Sequence, residues 1–382
     1  VATASGGKVR RDMRRYLLIV CMCALSAVLP MSPAHADPTT PGTVTATRGL
    51  PREQWATGSA RSLVFTYWSE DGYGRPMQSN AFLYLPQGNP PPGGWPIMAR
   101  AHGTTGIGDS CAPTVTGVGQ GVLDWIGNWN RDGFAVIATD YVGLGTPGVH
   151  PYLDGAAEAH SVIDSVRGAR AIDPNLSTRW APIGLSQGGH ASLFAANMAK
   201  SYAPELDLRG AIALAPPSHL EDLTVVANPY TPPLPLSGTV TYVGYILTGL
   251  RASRPDLDVN SYLTPLGVNV VNQLETMCAA QADQAFANVS IGSLFARPIS
   301  GTPLDAAVRQ ELAVPTTGYN RPIFLAQGIR DTTVPAPLTF VLAAQLAANS
   351  VDLTFRVYPG DHSELFFESL PDTLHFAEQI FR

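Results

Sequence analysis

Trp180-Ala181-Pro182-Ile183-Gly184-Leu185-Ser186-Gln187-Gly188-Gly189-His190 is the stretch from which the rest of the chain can be read. An apolar run of strand length, Trp180 to Leu185, passes straight into Ser186, and a helical pattern from Gly188 to Lys200 follows at once. In a chain with 36 glycines, Gly-x-Ser-x-Gly arises by accident roughly 0.2 times, so the five residues alone carry little. Their setting carries more. A serine on a strained strand-to-helix turn is exposed to attack a substrate, and side chains at 184, 188 or 189 would collide with the neighbouring strand or helix. The setting predicts Ser186 as a nucleophile.

Outward from this turn, apolar runs of strand length fall at Pro96–Ala101, Phe134–Thr139, Gly210–Ala215, Pro322–Ala326 and Leu353–Tyr358. Several lack period-2 alternation, which suits strands buried on both faces of a parallel sheet. Ser62–Trp68 and Asn80–Pro86, with Asp71-Gly72-Tyr73-Gly74 between them, read as an opening antiparallel hairpin after a Pro/Thr-rich leader, Asp37–Gly49. Helical stretches at Ala156–Ile172, Gly188–Lys200, Pro337–Ala348 and Thr373–Phe381 alternate with the strands. This predicts an α/β fold of the α/β-hydrolase type, with a mostly parallel central sheet flanked by helices. Residues 217–320 break the alternation and are far longer than an ordinary connection. They read as a mostly helical cap or lid over the C-terminal edge of the sheet, the alternative being an insertion packed away from the site. The expected division is a signal peptide at 1–36, the first part of the core at 37–216, the cap at 217–320 and the second part of the core at 321–382.

A serine hydroxyl needs a histidine to take its proton and an acid to hold that histidine's tautomer. In this fold the order is serine, acid, histidine, with the acid after a late strand and the histidine before the last helix. Asp331 follows the strand Pro322–Ala326 by a few residues, and His362 follows Leu353–Tyr358 in Pro359-Gly360-Asp361-His362-Ser363. These two complete the predicted triad. Asp361, Asp140 and Glu364 compete with Asp331, which could instead be a turn or helix-cap carboxylate ahead of Thr332 and Thr333. The tetrahedral intermediate also needs two N–H donors. One is expected from Gln187, at the mouth of the helix. The second is expected from the loop His102-Gly103-Thr104-Thr105-Gly106, at Thr104 with Thr105 close behind; the alternative is a glycine-rich turn in which His102 is merely packed.

Three strings, Ala101–Gly106, Ala138-Thr139-Asp140-Tyr141-Val142-Gly143-Leu144-Gly145 and Gly184–His190, resemble the secretory lipase family, which includes the Candida lipase A-like enzymes and secreted actinobacterial relatives. The resemblance spans roughly Phe65 to the C-terminus. It implies hydrolysis of carboxylic esters through an acyl-enzyme, no metal or organic cofactor, a triad on Ser186, Asp331 and His362, and a helical lid between the sixth and seventh strands. The cap matches no family motif residue by residue.

Composition sets the outer limits. The 382 residues are 45% hydrophobic and 14% charged, enough for one large domain with an elaboration or two ordinary ones. A formal net charge of -6 without like-charge blocks gives no footprint for nucleic acid or an anionic membrane. Arg10, Arg11, Arg14 and Arg15 precede the apolar run Tyr16–Leu29, which ends at Ala34-His35-Ala36. This reads as an export signal cleaved after Ala36, with Met13 as an alternative start, and implies secretion. The run is shorter than the roughly 18–20 residues of a membrane span. Cys21 and Cys23 would leave with the signal. Cys111 and Cys278 would remain, as a disulfide or as two buried thiols. The expected partner is a small-molecule or lipid ester, with room for transient contact between cap and lipid interface, and the chain is expected to act as a monomer. Transfer of the acyl group to another acceptor, amide cleavage, and a non-catalytic binding protein of the same fold are the other readings.

Overall fold

A computed structural model describes residues 38–232 and 238–382. The export signal read at 1–36, and residues 233–237 of the proline-rich joint, lie outside the described residues. Among the described residues ten strands form one sheet: β1 (Val44–Gly49), β2 (Ser59–Glu70), β3 (Pro76–Pro86), β4 (Trp95–Ala101), β5 (Ala135–Thr139), β6 (Leu176–Leu185), the two-residue β7 (Asp207–Leu208), β8 (Ala211–Leu214), β9 (Ile323–Gly328) and β10 (Leu353–Tyr358). Their order is β1-β2-β3-β5-β4-β6-β8-β9-β10, with β7 beside β6. Pairing is antiparallel from β1 to β5 and parallel from β5 to β10. The predicted hairpin is β2–β3.

Both faces of the sheet are covered along its central strands, which is why β5, β8 and β9 lack a polar side. Phe65, Leu83, Ile97 and Ile137 face the helices Gly155–Ile172, Gln187–Tyr202 and Ala336–Ala348. Their strand neighbours Val64, Phe82, Met98 and Val136 face Gln120–Arg131 and Leu370–Ile380. Burying one such side chain is worth about 1.5–3 kcal/mol.

Among the elements that escaped the sequence reading, two are substantial. The leader Asp37–Gly49 contains β1, whose β-branched Val44 and Thr47 pair with Tyr67 and Phe65 of β2, as an exposed edge strand. The helix Gln120–Arg131 carries Gly121, Gly127, Asn128 and Asn130, all weak helix formers. Packing overrides propensity there: Trp125 and Trp129 are buried, and a Cβ on Gly127 would come within 2.8 Å of the Thr57 carbonyl oxygen.

Between β8 and β9, the sixth and seventh of the eight strands legible in the sequence, the chain forms helices at Thr239–Ser253, Pro265–Leu274, Ala279–Ala285 and Pro303–Leu312, and no strand among the described residues. Their apolar faces share a third cluster, in which Tyr245, Leu250, Leu274 and Phe295 pack with Ile107, Tyr152 and Leu153 from loops at the sheet edge. Cys111 and Cys278, 167 residues apart, form a disulfide that ties the loop after β4 to this insertion. Beside it the Ala279 N–H donates to the Thr105 carbonyl at 2.9 Å. No helix among the described residues is long and apolar enough to cross a membrane.

Candidate active site

β6 ends at Leu185 and the helix Gln187–Tyr202 begins one residue later, leaving Ser186 alone in the turn with φ 61° and ψ −126°. A non-glycine residue adopts such a backbone only when its surroundings hold it. Here the Ser186 N–H donates to the Leu214 carbonyl at 2.8 Å, and its own carbonyl accepts the His190 N–H at 3.0 Å. The glycines make the tight turn feasible. A Cβ on Gly188 would run into the Ala101 carbonyl, one on Gly184 into the Gly188 backbone, and one on Gly189 would lie 2.7 Å from the Leu214 carbonyl oxygen.

Because β4, β6, β8, β9 and β10 are parallel neighbours, the segments leaving their C-terminal ends emerge on one edge of the sheet. That edge gathers Ser186 after β6, the His102–Gly106 loop after β4, Asp331 after β9 and His362 after β10. Asp331 and His362 meet: His362 Nδ1 lies 2.6 Å from Asp331 Oδ2, with the carboxylate fully buried and the imidazole 19% exposed. The other carboxylate oxygen of Asp331 accepts the N–H groups of Thr333 (2.9 Å) and Val334 (2.8 Å). Asp331 is therefore a turn carboxylate and a histidine partner at once.

None of its three competitors holds His362. Asp361 is exposed and caps Ser363 and Glu364, whose N–H groups depress its pKa. Glu364 pairs with Arg330 at 3.0 Å. Asp140 is bound by the Thr114 N–H and hydroxyl, and burial pushes its pKa up to about 8 against those hydrogen bonds. Sequence reading missed what steadies Asp331. Gln327, fully buried at the end of β9, donates from Nε2 to Asp331 Oδ2 and to the Val334 carbonyl, each at 3.1 Å, and accepts the Thr339 hydroxyl at 2.6 Å. A glutamine ending an otherwise apolar strand was the available signal.

The loop after β4 lies against the serine: a Cβ on Gly103 would sit 3.7 Å from the Ser186 Cβ. Thr104 Oγ1 is 2.6 Å from the hydroxyl of Tyr152, and the N–H groups of Thr104 and Gln187 donate to no other described group. The Thr105 N–H likewise donates to no described group, while its carbonyl holds Ala279. His102 is buried, with ring nitrogens 2.7 Å from the Gly103 carbonyl and 3.2 Å from that of Asp140. Burial pushes its pKa down to about 4, so it is a neutral buttress of the loop at pH 7. The Gln187 side chain turns inward, 2.8 Å from Glu158 Oε1.

From Ser186 an apolar cavity of about 210 Å³ runs into the insertion, lined by Tyr152, Leu220, Tyr242, Ile246, Phe295 and Leu338 among others. Thr333, Val334 and Pro335, from the loop of Asp331, line it as well.

Similar proteins carry this architecture. The fold superposes on Candida antarctica lipase A with a TM-score of 0.75, at 22% identity, over 89% of this chain and 82% of that one. It superposes on the rice cell wall degrading esterase LipA of Xanthomonas oryzae with a TM-score of 0.71, at 18% identity, over 86% and 95%. In sequence, the chain is 26% identical over 300 residues to lipase A of Moesziomyces aphidis, 71% of this chain and 62% of that protein. It is 25% identical over 261 residues (65% and 56%) to a Mycobacterium tuberculosis protein described as a "probable inactive lipase". It is 24% identical over 295 residues (72% and 60%) to trichothecene C-3 esterase of Fusarium sporotrichioides. The chain thus spans about three fifths of the length of these curated relatives. The sequence model of secretory lipases matches residues 122–381, and with the α/β-hydrolase fold already in view, the chain belongs to the secretory lipase family.

Proposed function

We propose that this chain is an exported serine hydrolase that cleaves hydrophobic carboxylic esters. Ser186 would attack the ester carbonyl while His362 accepts its proton, with Asp331 holding the imidazole so that its free nitrogen faces the serine. The oxyanion would take the N–H groups of Gln187 and Thr104, each such donor being worth about 10²–10³ in rate. His362 then returns the proton to the leaving alcohol, and water repeats the sequence on the acyl-enzyme.

One observation carries the reading: a serine at φ 61° faces an apolar cavity on the same sheet edge where a histidine is bonded to a buried aspartate. The cavity favours an acyl chain, and the exposed Leu223 and Val225 and the exposed Tyr230 on the cap offer apolar contact to a lipid surface. The leader read at 1–36 and the Cys111–Cys278 disulfide support export. A non-catalytic member, as the mycobacterial relative is described, would have no reason to retain the serine turn, the bonded acid and histidine, and free N–H donors together.

A fluorophosphonate probe should label Ser186, and Ser186→Ala should abolish turnover of p-nitrophenyl esters. An unlabelled serine, or full activity in the variant, would sink the proposal. Across esters from acetate to palmitate, with emulsified triglyceride, turnover should persist into the longer chains. Loss of turnover beyond butyrate would restrict the enzyme to short esters.

A further inference from the structure

Beneath the serine turn lies a carboxylate that the proposed mechanism does not use. Glu158, in the first turn of the helix Gly155–Ile172, is fully buried. Its Oε1 accepts the Leu153 N–H at 3.0 Å and Gln187 Nε2 at 2.8 Å. Its Oε2 lies 3.3 Å from His190 Nδ1, and His190 Nε2 donates to the Leu312 carbonyl, at the end of the cap helix Pro303–Leu312, at 3.0 Å. A carboxylate at this depth persists only where its oxygens meet donors. Here the donors come from the loop before its own helix and from the helix after Ser186.

The second hydrogen of Gln187 Nε2 reaches His150 Nε2 at 2.9 Å. Burial pushes the His150 pKa down to about 3, so this ring is neutral; its Nε2 accepts from Gln187 while Nδ1–H donates to the Val142 carbonyl at 3.1 Å. The Gln187 side chain is thereby held at both hydrogens. Each contact of Glu158 Oε1 ends beside an oxyanion donor. Gln187 carries one such N–H itself. Leu153 follows Tyr152, whose hydroxyl holds Thr104, the bearer of the other.

We propose that Glu158 is a positioning residue of the oxyanion hole, setting the separation of the Gln187 and Thr104 N–H groups and coupling both, through His190, to Leu312 of the cap. The proposal rests on the ester-hydrolase reading above. An oxyanion hole works because its donors are placed before the charge develops, so a shift of about 1 Å costs on the order of 10²-fold. A carboxylate suits the position because its two oxygens can accept from several segments at once, in charge-assisted bonds.

The test compares two substitutions. Glu158→Ala removes every contact and should lower kcat by roughly 30–100-fold, with KM within about twofold. Glu158→Gln keeps an oxygen for Leu153 and Gln187, the two contacts that reach the oxyanion donors, so it should remain within about fivefold of wild type. A trifluoromethyl ketone, which forms the tetrahedral adduct, should lose affinity in step with kcat/KM, whereas inhibition by a fatty acid product should not change. If Glu158→Ala cannot be purified folded, Gln187→Met severs the same link and should show the same kcat loss and ketone effect. A purely structural Glu158 would lower the melting temperature yet leave kcat and ketone affinity unchanged well below it, and that result would overturn the proposal. Wild-type protein that neither turns over esters nor labels at Ser186 would instead bring down the hydrolase reading, and this one with it.

Discussion

Replacing Asp331 with asparagine changes one atom, and the surroundings of that atom leave the new amide no comfortable orientation. Both carboxylate oxygens face donors: Oδ1 the N–H groups of Thr333 and Val334, Oδ2 the Nε2 of Gln327 and the Nδ1 of His362. If the new NH₂ replaces Oδ1, the buried N–H of Val334 loses its acceptor, at about 1–3 kcal/mol, and the part-buried N–H of Thr333 loses the same one. If it replaces Oδ2, it opposes Gln327, which cannot flip without giving up the Gly328 and Val334 carbonyls and the Thr339 hydroxyl. It also meets His362, which escapes the clash by moving its proton to Nε2. That second orientation keeps the two backbone bonds and should prevail. In the proposed mechanism His362 would then present an N–H to Ser186 where a proton acceptor is required. Asp331→Asn should accordingly lower kcat by about 10⁴-fold, or roughly 5.5 kcal/mol of barrier, with KM changed little. Steady-state hydrolysis of p-nitrophenyl butyrate measures this, with Asp361→Asn, on an exposed turn, as a control expected near wild type. A kcat for Asp331→Asn within tenfold of wild type, or an equal loss in Asp361→Asn, would refute the assignment of Asp331 as the histidine's partner.

Replacing both Cys111 and Cys278 with serine opens a loop closed across 167 residues, worth up to about 5 kcal/mol by chain entropy, so the melting temperature should fall by several degrees and more. Because the staple sits beside Thr105, ester turnover should fall too; an unchanged melting curve would show that cap packing alone holds the two segments. Glu311, on the cap helix, is buried against the Tyr73 hydroxyl at 2.8 Å, and burial pushes its pKa up from 4.5 to about 8. The folded state then keeps a proton that the unfolded chain releases, so the stability Glu311 contributes is complete below the unfolded value and is lost as pH rises through about 8. Thermal unfolding should show stability declining over that interval, and Glu311→Gln should flatten the decline; a slope identical to wild type would refute it.

Much of this molecule is written locally. β10 begins and ends at the residues that apolar patterning indicated, and the helix Gly155–Ile172 starts one residue early, because both are patterns of near neighbours. The turn at Ser186 is equally local, since strand, serine, flanking glycines and helix are consecutive. Tertiary structure decided what depends on segments far apart. β1 is a strand only because β2 lies beside it, and position 127 of its helix takes glycine because Thr57 leaves no room for a side chain. Whether Cys111 and Cys278 were thiols or a staple, and whether His362 would meet Asp331 or one of three other acids, turned on which loops reach one edge of the sheet. Gln327 left only the trace of a polar residue ending an apolar strand, and Glu158 left none: a buried polar residue declares its role through its hydrogen-bond partners, and those of Glu158 come from residues 153, 187 and 190, which only the folded backbone brings together.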